Sequence, residues 1–312
     1  MSIVINILIL LILFFALGFG ADLVVKNIKF IALTLRMKLF VLGIVLGLVT
    51  TLPELSVGIN ATLEDVASLS VGNIMGGVIV IIGLVLGTSL ILNRKVSTRH
   101  NLKAMIPASI VILSPFLLGV DGKFGTFDGL VIIALYIALI FYLYKSNHSF
   151  VGERLAFLEK KKIARAVCLA LVGVIIVILS SHWIISLTLI FLERVAVDKM
   201  LIGLLLFSVG TNLPEIMITI TSWRRKAADL SLSLLISSAF TNILILGILS
   251  VLKPITFVIG PVYYVLGFFV ALMVILLIIF SRTDKSLNRM EGLFLLLVYI
   301  FFVITNIVLA SL

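Results

Sequence analysis

Ten apolar stretches follow one another from end to end of this chain, and they leave no room for a soluble domain. A helix that crosses the hydrocarbon of a bilayer needs ~20 mostly apolar residues. The stretches predict helices over roughly 4–25, 39–61, 66–92, 105–120, 129–144, 164–191, 200–223, 230–251, 257–280 and 292–312. Of the 312 residues, 62% are hydrophobic, more apolar surface than a water-soluble interior of that size could hide. The reading is therefore all-α and integral to a membrane, with a multi-pass path. The first stretch carries no positive charge before Lys26, so it reads as a retained helix rather than a leader.

The cations fix the orientation. Lys26, Lys29, Arg36 and Lys38 follow the first stretch, and Arg94, Lys95, Arg99 and Lys103 follow the third. The central connection holds Lys145, Arg154, Lys160, Lys161, Lys162 and Arg165. Arg224, Arg225 and Lys226 follow the seventh stretch, and Arg282, Lys285 and Arg289 follow the ninth. Only Lys123, Arg194, Lys199 and Lys253 fall in the other connections. Cytoplasmic loops collect Lys and Arg, so both termini are expected outside the cytoplasm, and the alternation needs ten spans. The net charge of +10 is a loop property of this kind and does not point to nucleic acid. A cell (plasma) membrane is the expected location, with the bilayer and metal cations as partners.

A short motif occurs twice. Thr50-Thr51-Leu52-Pro53-Glu54 matches Thr211-Asn212-Leu213-Pro214-Glu215 at an offset of 161 residues. Each copy falls in the second span of a five-span half. Five is odd, so the halves enter the membrane from opposite sides, and such inverted repeats place their substrate site near the midplane. The expected division is residues 1–146 and 163–312, joined by a cytoplasmic linker over 147–162.

The motif carries chemistry. Proline lacks an amide hydrogen and clashes with the carbonyl four residues back, so Pro53 frees the Val49 carbonyl and Pro214 that of Gly210. Free carbonyls at membrane depth must meet some partner, and a partly dehydrated cation is one. A carboxylate near the bilayer centre costs ~2.5–3.5 kcal/mol on the lenient insertion scale. Glu54 and Glu215 are the acids placed deep in a span. Brought together they repel unless a proton or cation sits between them. Thr50 and Thr211 add hydroxyls one turn earlier, although such hydroxyls commonly bond back to their own helix. Ser238 and Asn242 share a face of the eighth span and offer neutral oxygens, whereas the matching positions of the third span are Gly77 and Ile81. An oxygen-only set suits hard ions such as Ca2+ and Na+. His100, His148, His182 and Cys168 form no soft-metal cluster, and no nucleophile constellation or phosphate loop suggests an enzyme or a bound cofactor. Asp65 and Asp229 read as helix caps, and Asn60-Ala61-Thr62 fits a glycosylation sequon.

These residues resemble the sodium/calcium exchanger family of the calcium/cation antiporter superfamily. The likeness is sharpest over 43–87 and 203–247, which resemble the family's two alpha-repeats. It is carried by the two Leu-Pro-Glu cores, by Gly72-Asn73-Ile74-Met75-Gly76 and by Phe240-Thr241-Asn242-Ile243. The resemblance implies that Glu54 and Glu215 are central ion ligands, and that Thr50, Thr51 and Thr211 line the site. It implies too that Ser238 and Asn242 complete the site, with Asn212 standing where the family usually has Ser. The first repeat departs from the family's Gly-Ser-Asn-x-x-Asn at Gly76-Gly77-Val78-Ile79-Val80-Ile81. The implied activity is Ca2+/Na+ antiport. Coupling to H+ in the same fold, or a non-transporting protein with a degenerate site, are the competing expectations.

Overall fold

The structure, a computed structural model, describes residues 3–34, 47–93, 95–97, 102–146, 160–192, 198–216, 219, 228–282 and 286–311. Helix α1 spans Ile3–Thr34, α2 Leu52–Leu63, α3 Ala67–Asn93, α4 Leu102–Leu118 and α5 Thr126–Ser146. Helix α6 spans Lys160–Leu192, α7 Lys199–Thr211, α8 Ala228–Leu252, α9 Pro261–Arg282 and α10 Arg289–Ser311. Seven of them (α1, α3, α5, α6, α8, α9 and α10) are long and apolar enough to cross a membrane. Helices α4 and α7 are shorter and apolar. The N-terminal part of the second predicted span and most of the C-terminal part of the seventh lie outside the described residues.

Burial separates the helices into central and peripheral ones. Of the most apolar window of α3, 83% is buried, and of α8, 78%, against 17% for α10. Leu8, Ile12, Phe15 and Phe19 of α1 are exposed along one stripe, the surface lipid would cover. One apolar cluster joins α3, α4, α5, α8, α9 and α10. A second joins α1, α2 and α6 with Phe207 of α7.

Glycines let the helices approach closely. A Cβ on Gly72 of α3 would overlap the Met200 carbonyl of α7, and one on Gly203 of α7 would overlap the Leu69 carbonyl of α3. With no hydrophobic force between helices in lipid, such backbone proximity is what dispersion and packing require.

Sequence periodicity missed two short strand pairs. β1 (Lys95–Ser97) pairs antiparallel with β4 (Ser286–Asn288), and β2 (Lys123–Phe124) with β3 (Ile255–Thr256). Segments of two or three residues give no period to read. Each pair ties the end of a central helix to the start of a peripheral helix distant in sequence, α3 to α10 and α8 to α5. The helices repeat the pattern. Gly87 of α3 faces Gly292 of α10, and Gly247 of α8 faces Gly129 of α5. The α3–α10 and α8–α5 arrangements match element for element.

Two expectations are corrected. Asp65 does not cap α3: the residue before that helix is Val66, which makes no side-chain cap. Asp65 sits at φ 57 in the turn between α2 and α3, a left-handed conformation that Asp tolerates better than most residues, and it pairs with Lys253 at 2.6 Å. That contact holds its carboxyl below the usual carboxylate range. The Asn60 sequon lies inside α2, not in a loop, and its amide donates to the Ser56 carbonyl (2.9 Å) and Ser181 hydroxyl (3.1 Å).

Candidate ion site at two broken helices

The two motifs break their helices at the same place and in the same way. Helical turns at 47–50 stop at Thr51, with φ −90° and ψ 9°, and α2 begins anew with Pro53 in its first turn. In the second copy α7 stops at Asn212, with φ −86° and ψ 12°, and a helical turn resumes at 213–216. Leu55 N–H bonds to the Thr51 carbonyl at 3.0 Å, and Ile216 N–H to the Asn212 carbonyl at 3.2 Å. Proline at a first-turn position loses no hydrogen bond, because its amide would have been orphaned there. The sequence expectation of one freed carbonyl thus becomes a complete interruption at each Pro. A π-helical segment, Gly203–Phe207, precedes the second break, and another, Val80–Leu86, follows Gly77 in α3. Such wide turns are frequent at functional sites.

All eight predicted site residues are brought into the interior: Thr50, Thr51, Glu54, Thr211, Asn212, Glu215, Ser238 and Asn242 each have 0% exposure. Among the described residues no other acid and no Lys or Arg is buried. Ser238 donates to Glu215 Oε1 at 2.7 Å. Glu54 faces the Glu215 carboxylate and the Thr211 hydroxyl. The Thr211 proton is nonetheless shared between the Phe207 carbonyl and Asn73 Oδ1, each at 3.0 Å, so Glu54 gains no donor from it. Thr50 donates to the Gly47 carbonyl at 3.0 Å, and Thr51 to the Leu48 carbonyl at 3.1 Å. The hydroxyl protons therefore bond back to the helices and leave oxygen lone pairs for another partner.

What remains is a set of buried oxygens without donors. Both oxygens of Glu54, Oε2 of Glu215, Oδ1 of Asn212 and Oδ1 of Asn242 have no hydrogen-bond partner. Buried acceptors are rarely left unmet, and each lost partner costs about 1–3 kcal/mol, more for a charged group. Acceptors gathered around two carboxylates want a cation.

Gly77 has a structural role. A Cβ on Gly77 would lie 2.9 Å from Asn242 Nδ2 and 3.1 Å from Asn212 Nδ2. The space left open on α3 is occupied by the carboxamides of Asn212 and Asn242. Asn212 Nδ2 also donates to the Ser208 carbonyl at 2.7 Å, which leaves its oxygen unbonded. Ile81 supplies no oxygen, as the sequence implied, and lines a small apolar cavity with Ile82, Leu86, Leu235, Ile236 and Ala239.

Sequence reasoning used Asn73 for the family likeness alone and gave it no place in the site. It is fully buried on α3, accepts from Thr211 and keeps Nδ2 unpartnered. The available signal was a lone amide within an otherwise apolar helix, between Gly72 and Ile74.

Helices interrupted inside a membrane bundle, with paired acids at the interruptions, define a secondary transporter of cations. The chain belongs to the sodium/calcium exchanger protein family, which matches residues 5–145 and 165–308. It is a membrane antiporter and not an enzyme. The sodium/calcium exchanger MaX1 of Methanosarcina acetivorans is 24% identical over 97% of this chain and 98% of its own. An uncharacterized membrane protein of Methanocaldococcus jannaschii is 26% identical over 91% of this chain and 92% of its own. Among solved structures, the sodium–calcium exchanger NCX_Mj soaked with Na+ and Sr2+ is 25% identical with a TM-score of 0.69, covering 96% of this chain and 98% of that one. The H+/Ca2+ exchanger CAX has the same fold, with 18% identity and a TM-score of 0.78, covering 98% of this chain and 86% of that one.

Proposed function

We propose that this antiporter exchanges Ca2+ against Na+ at one midplane site built from Glu54, Glu215, Asn212 and Asn242. Thr50, Thr51, Thr211 and Ser238 complete its lining. The observation that carries the reading is the group of five donor-free buried oxygens around the two carboxylates. Ca2+ takes about 6–8 oxygens, and hydroxyl lone pairs of the threonines bring the set into that range. A vestigial site would have no reason to keep so many unmet acceptors. Na+ favours the same oxygen chemistry, so each ion displaces the other.

The architecture belongs to the proposal too. Two inverted halves, 1–146 and 163–312, joined through 147–162, would set the two breaks face to face. The matching dihedrals at Thr51 and Asn212 and the exchange of strand pairs between halves support this. The distribution of Lys and Arg supports non-cytoplasmic termini and a cell membrane location.

Proton coupling is the second reading. It is favoured by Gly77 and Ile81, which offer α3 no oxygen for a further metal ion. Purified protein in sealed vesicles separates the two. Ca2+ uptake that follows an imposed Na+ gradient at constant pH supports the first. Uptake that ignores Na+ and follows a pH gradient replaces it with the second.

A further inference from the structure

We propose that Asn73 is a positioning residue of this exchanger: it draws the Thr211 proton toward α3, which keeps both Glu54 oxygens and a Thr211 lone pair free for the cation. The role presupposes the exchanger reading above and adds a residue that acts through Thr211.

The two acids are treated unequally. Glu215 accepts the Ser238 proton at Oε1, at 2.7 Å, and keeps Oε2 without a partner. Glu54 has no partner on either oxygen. Two residues of α3 account for the difference. Gly77 stands 161 residues before Ser238 and has no hydroxyl to give. Asn73 takes away the second donor. Thr211 faces Glu54. Its one proton nonetheless lies between Asn73 Oδ1 and the Phe207 carbonyl, each at 3.0 Å. The Phe207 bond is the ordinary back-bond of a helical Thr. The Asn73 bond comes from another helix, 138 positions away in sequence.

Packing does not explain Asn73. The residue is fully buried, and its Nδ2 has no acceptor. A buried donor left unmet destabilises the fold. Leucine has the same branching without that loss, and leucine is what the chain carries 161 residues on, at Leu234. The backbone fixes where Asn73 stands, since a Cβ on Gly203 would lie 2.9 Å from the Asn73 amide nitrogen. The π-helical segment Gly203–Phe207 begins at that crossing and ends on the carbonyl that competes for the Thr211 proton.

A hydroxyl beside a carboxylate can face it with its proton or with a lone pair. Proton first, it bonds to the carboxylate and fills the space between the two oxygens. Lone pair first, both oxygens look into that space, and a cation satisfies them. A charged acceptor bonds about twice as strongly as a neutral one, so the Phe207 carbonyl alone would lose the proton to Glu54. Asn73 Oδ1 supplies the second neutral acceptor that shifts the balance. Cation binding and the Asn73 bond then support each other, because each needs the Thr211 lone pair turned to Glu54.

The test uses the full chain in phosphatidylethanolamine–phosphatidylglycerol vesicles with a luminal Ca2+ indicator, driven by a Na+ or a pH gradient. Asn73→Leu removes the acceptor. Half-saturating Ca2+ should rise about tenfold, the weight of one hydrogen bond to a charged group, with the maximal rate unchanged. The unfolding temperature should not fall, since the unmet Nδ2 goes too. Asn73→Ala, which adds no bulk, carries the same prediction for half-saturation. In a Thr211→Val background there is no proton to direct, so Asn73→Leu should change half-saturation by less than about twofold, within the scatter of independent sites. In a Thr211→Ser background the tenfold rise should return. Calorimetric Ca2+ binding to the purified protein reads the same cycle in any background that binds without exchanging. No rise in the Asn73 variants, or equal rises in the Val and Ser backgrounds, overturns the role of Asn73 and leaves the exchanger intact. Absence of Ca2+ movement by the parent under either gradient overturns the exchanger reading itself.

Discussion

Gly72 and Gly77 lie five residues apart on α3, and alanine should have opposite consequences at the two positions. At Gly72 the new methyl would overlap the Met200 carbonyl, with the Leu204 amide nitrogen 2.9 Å away. Both are backbone atoms of α7, so α3 and α7 must separate along their crossing. Overpacking of this kind costs about 1–3 kcal/mol, occasionally more. At Gly77 the methyl would meet only the ends of two carboxamides, at 2.9 and 3.1 Å, and those side chains can rotate aside. The fold should survive, and the site should not. Moving Asn212 Oδ1 and Asn242 Oδ1 off the ion removes two neutral ligands. Loss even of a group that only supports a ligand weakens metal binding about 10–100-fold, so losing the ligands themselves costs at least that. The assays are thermal unfolding of detergent-solubilised protein and the half-saturating Ca2+ concentration for exchange. Gly72→Ala should lower the unfolding temperature. Gly77→Ala should leave it close to the parent and raise half-saturation by at least about tenfold. A Gly77→Ala protein with unchanged half-saturation would refute the placement of the two carboxamides at the ion. An unperturbed unfolding temperature in Gly72→Ala would refute the account of the crossing.

Other perturbations sort the remaining contacts. Glu54→Gln should reduce exchange by more than about tenfold without lowering thermal stability, because Glu54 has no hydrogen-bond partner to lose and gains from losing its charge. Ser238→Ala should weaken Ca2+ binding by about tenfold, as one hydrogen bond to a charged group is worth about 1.5–3 kcal/mol. Asp65 titrates below its ordinary value, so its pairing with Lys253 contributes above the ordinary carboxylate pKa and is lost as pH falls through the depressed one. Acid titration followed by NMR of the Asp65 carboxyl should therefore show a midpoint below about 3.9, which Lys253→Met returns to the ordinary value. Alkaline phosphatase fused after Leu312 should be active in a bacterial host, and the same fusion placed at Lys285 inactive, if the termini lie outside the cytoplasm.

Much of this was legible because lipid is a strict solvent. A segment crossing it must satisfy its own backbone, so apolar length alone predicts helices such as α5 and α10 to within a few residues. The same strictness made Glu54 and Glu215 conspicuous, and all eight residues singled out from the sequence are buried. The remainder depends on contacts between distant segments. Gly77 reads as a lost ligand in the sequence, but it is the space into which Asn212 and Asn242 reach. Asn73 was not given a place in the site because its partner, Thr211, is 138 residues away. Pro261 starts α9 four residues later than the apolar run suggests, since Ile255–Thr256 is drawn into a strand by β2. Asp65 was given a cap because it precedes a helix, and it bonds instead to a cation from beyond the end of α8.

The two strand pairs mean that neither residues 1–146 nor residues 163–312 close on themselves. A chain ending at residue 146 would carry β1 and β2 with their partners missing, and Gly87 and Gly129 with no facing glycine. What it lacks is supplied by β3 and β4 and by Gly247 and Gly292, all from beyond residue 163. Under the proposed inverted architecture the single polypeptide is an antiparallel dimer written on one strand of sequence. Coexpression of separate halves should restore a working exchanger, while one half alone should search for another of its kind.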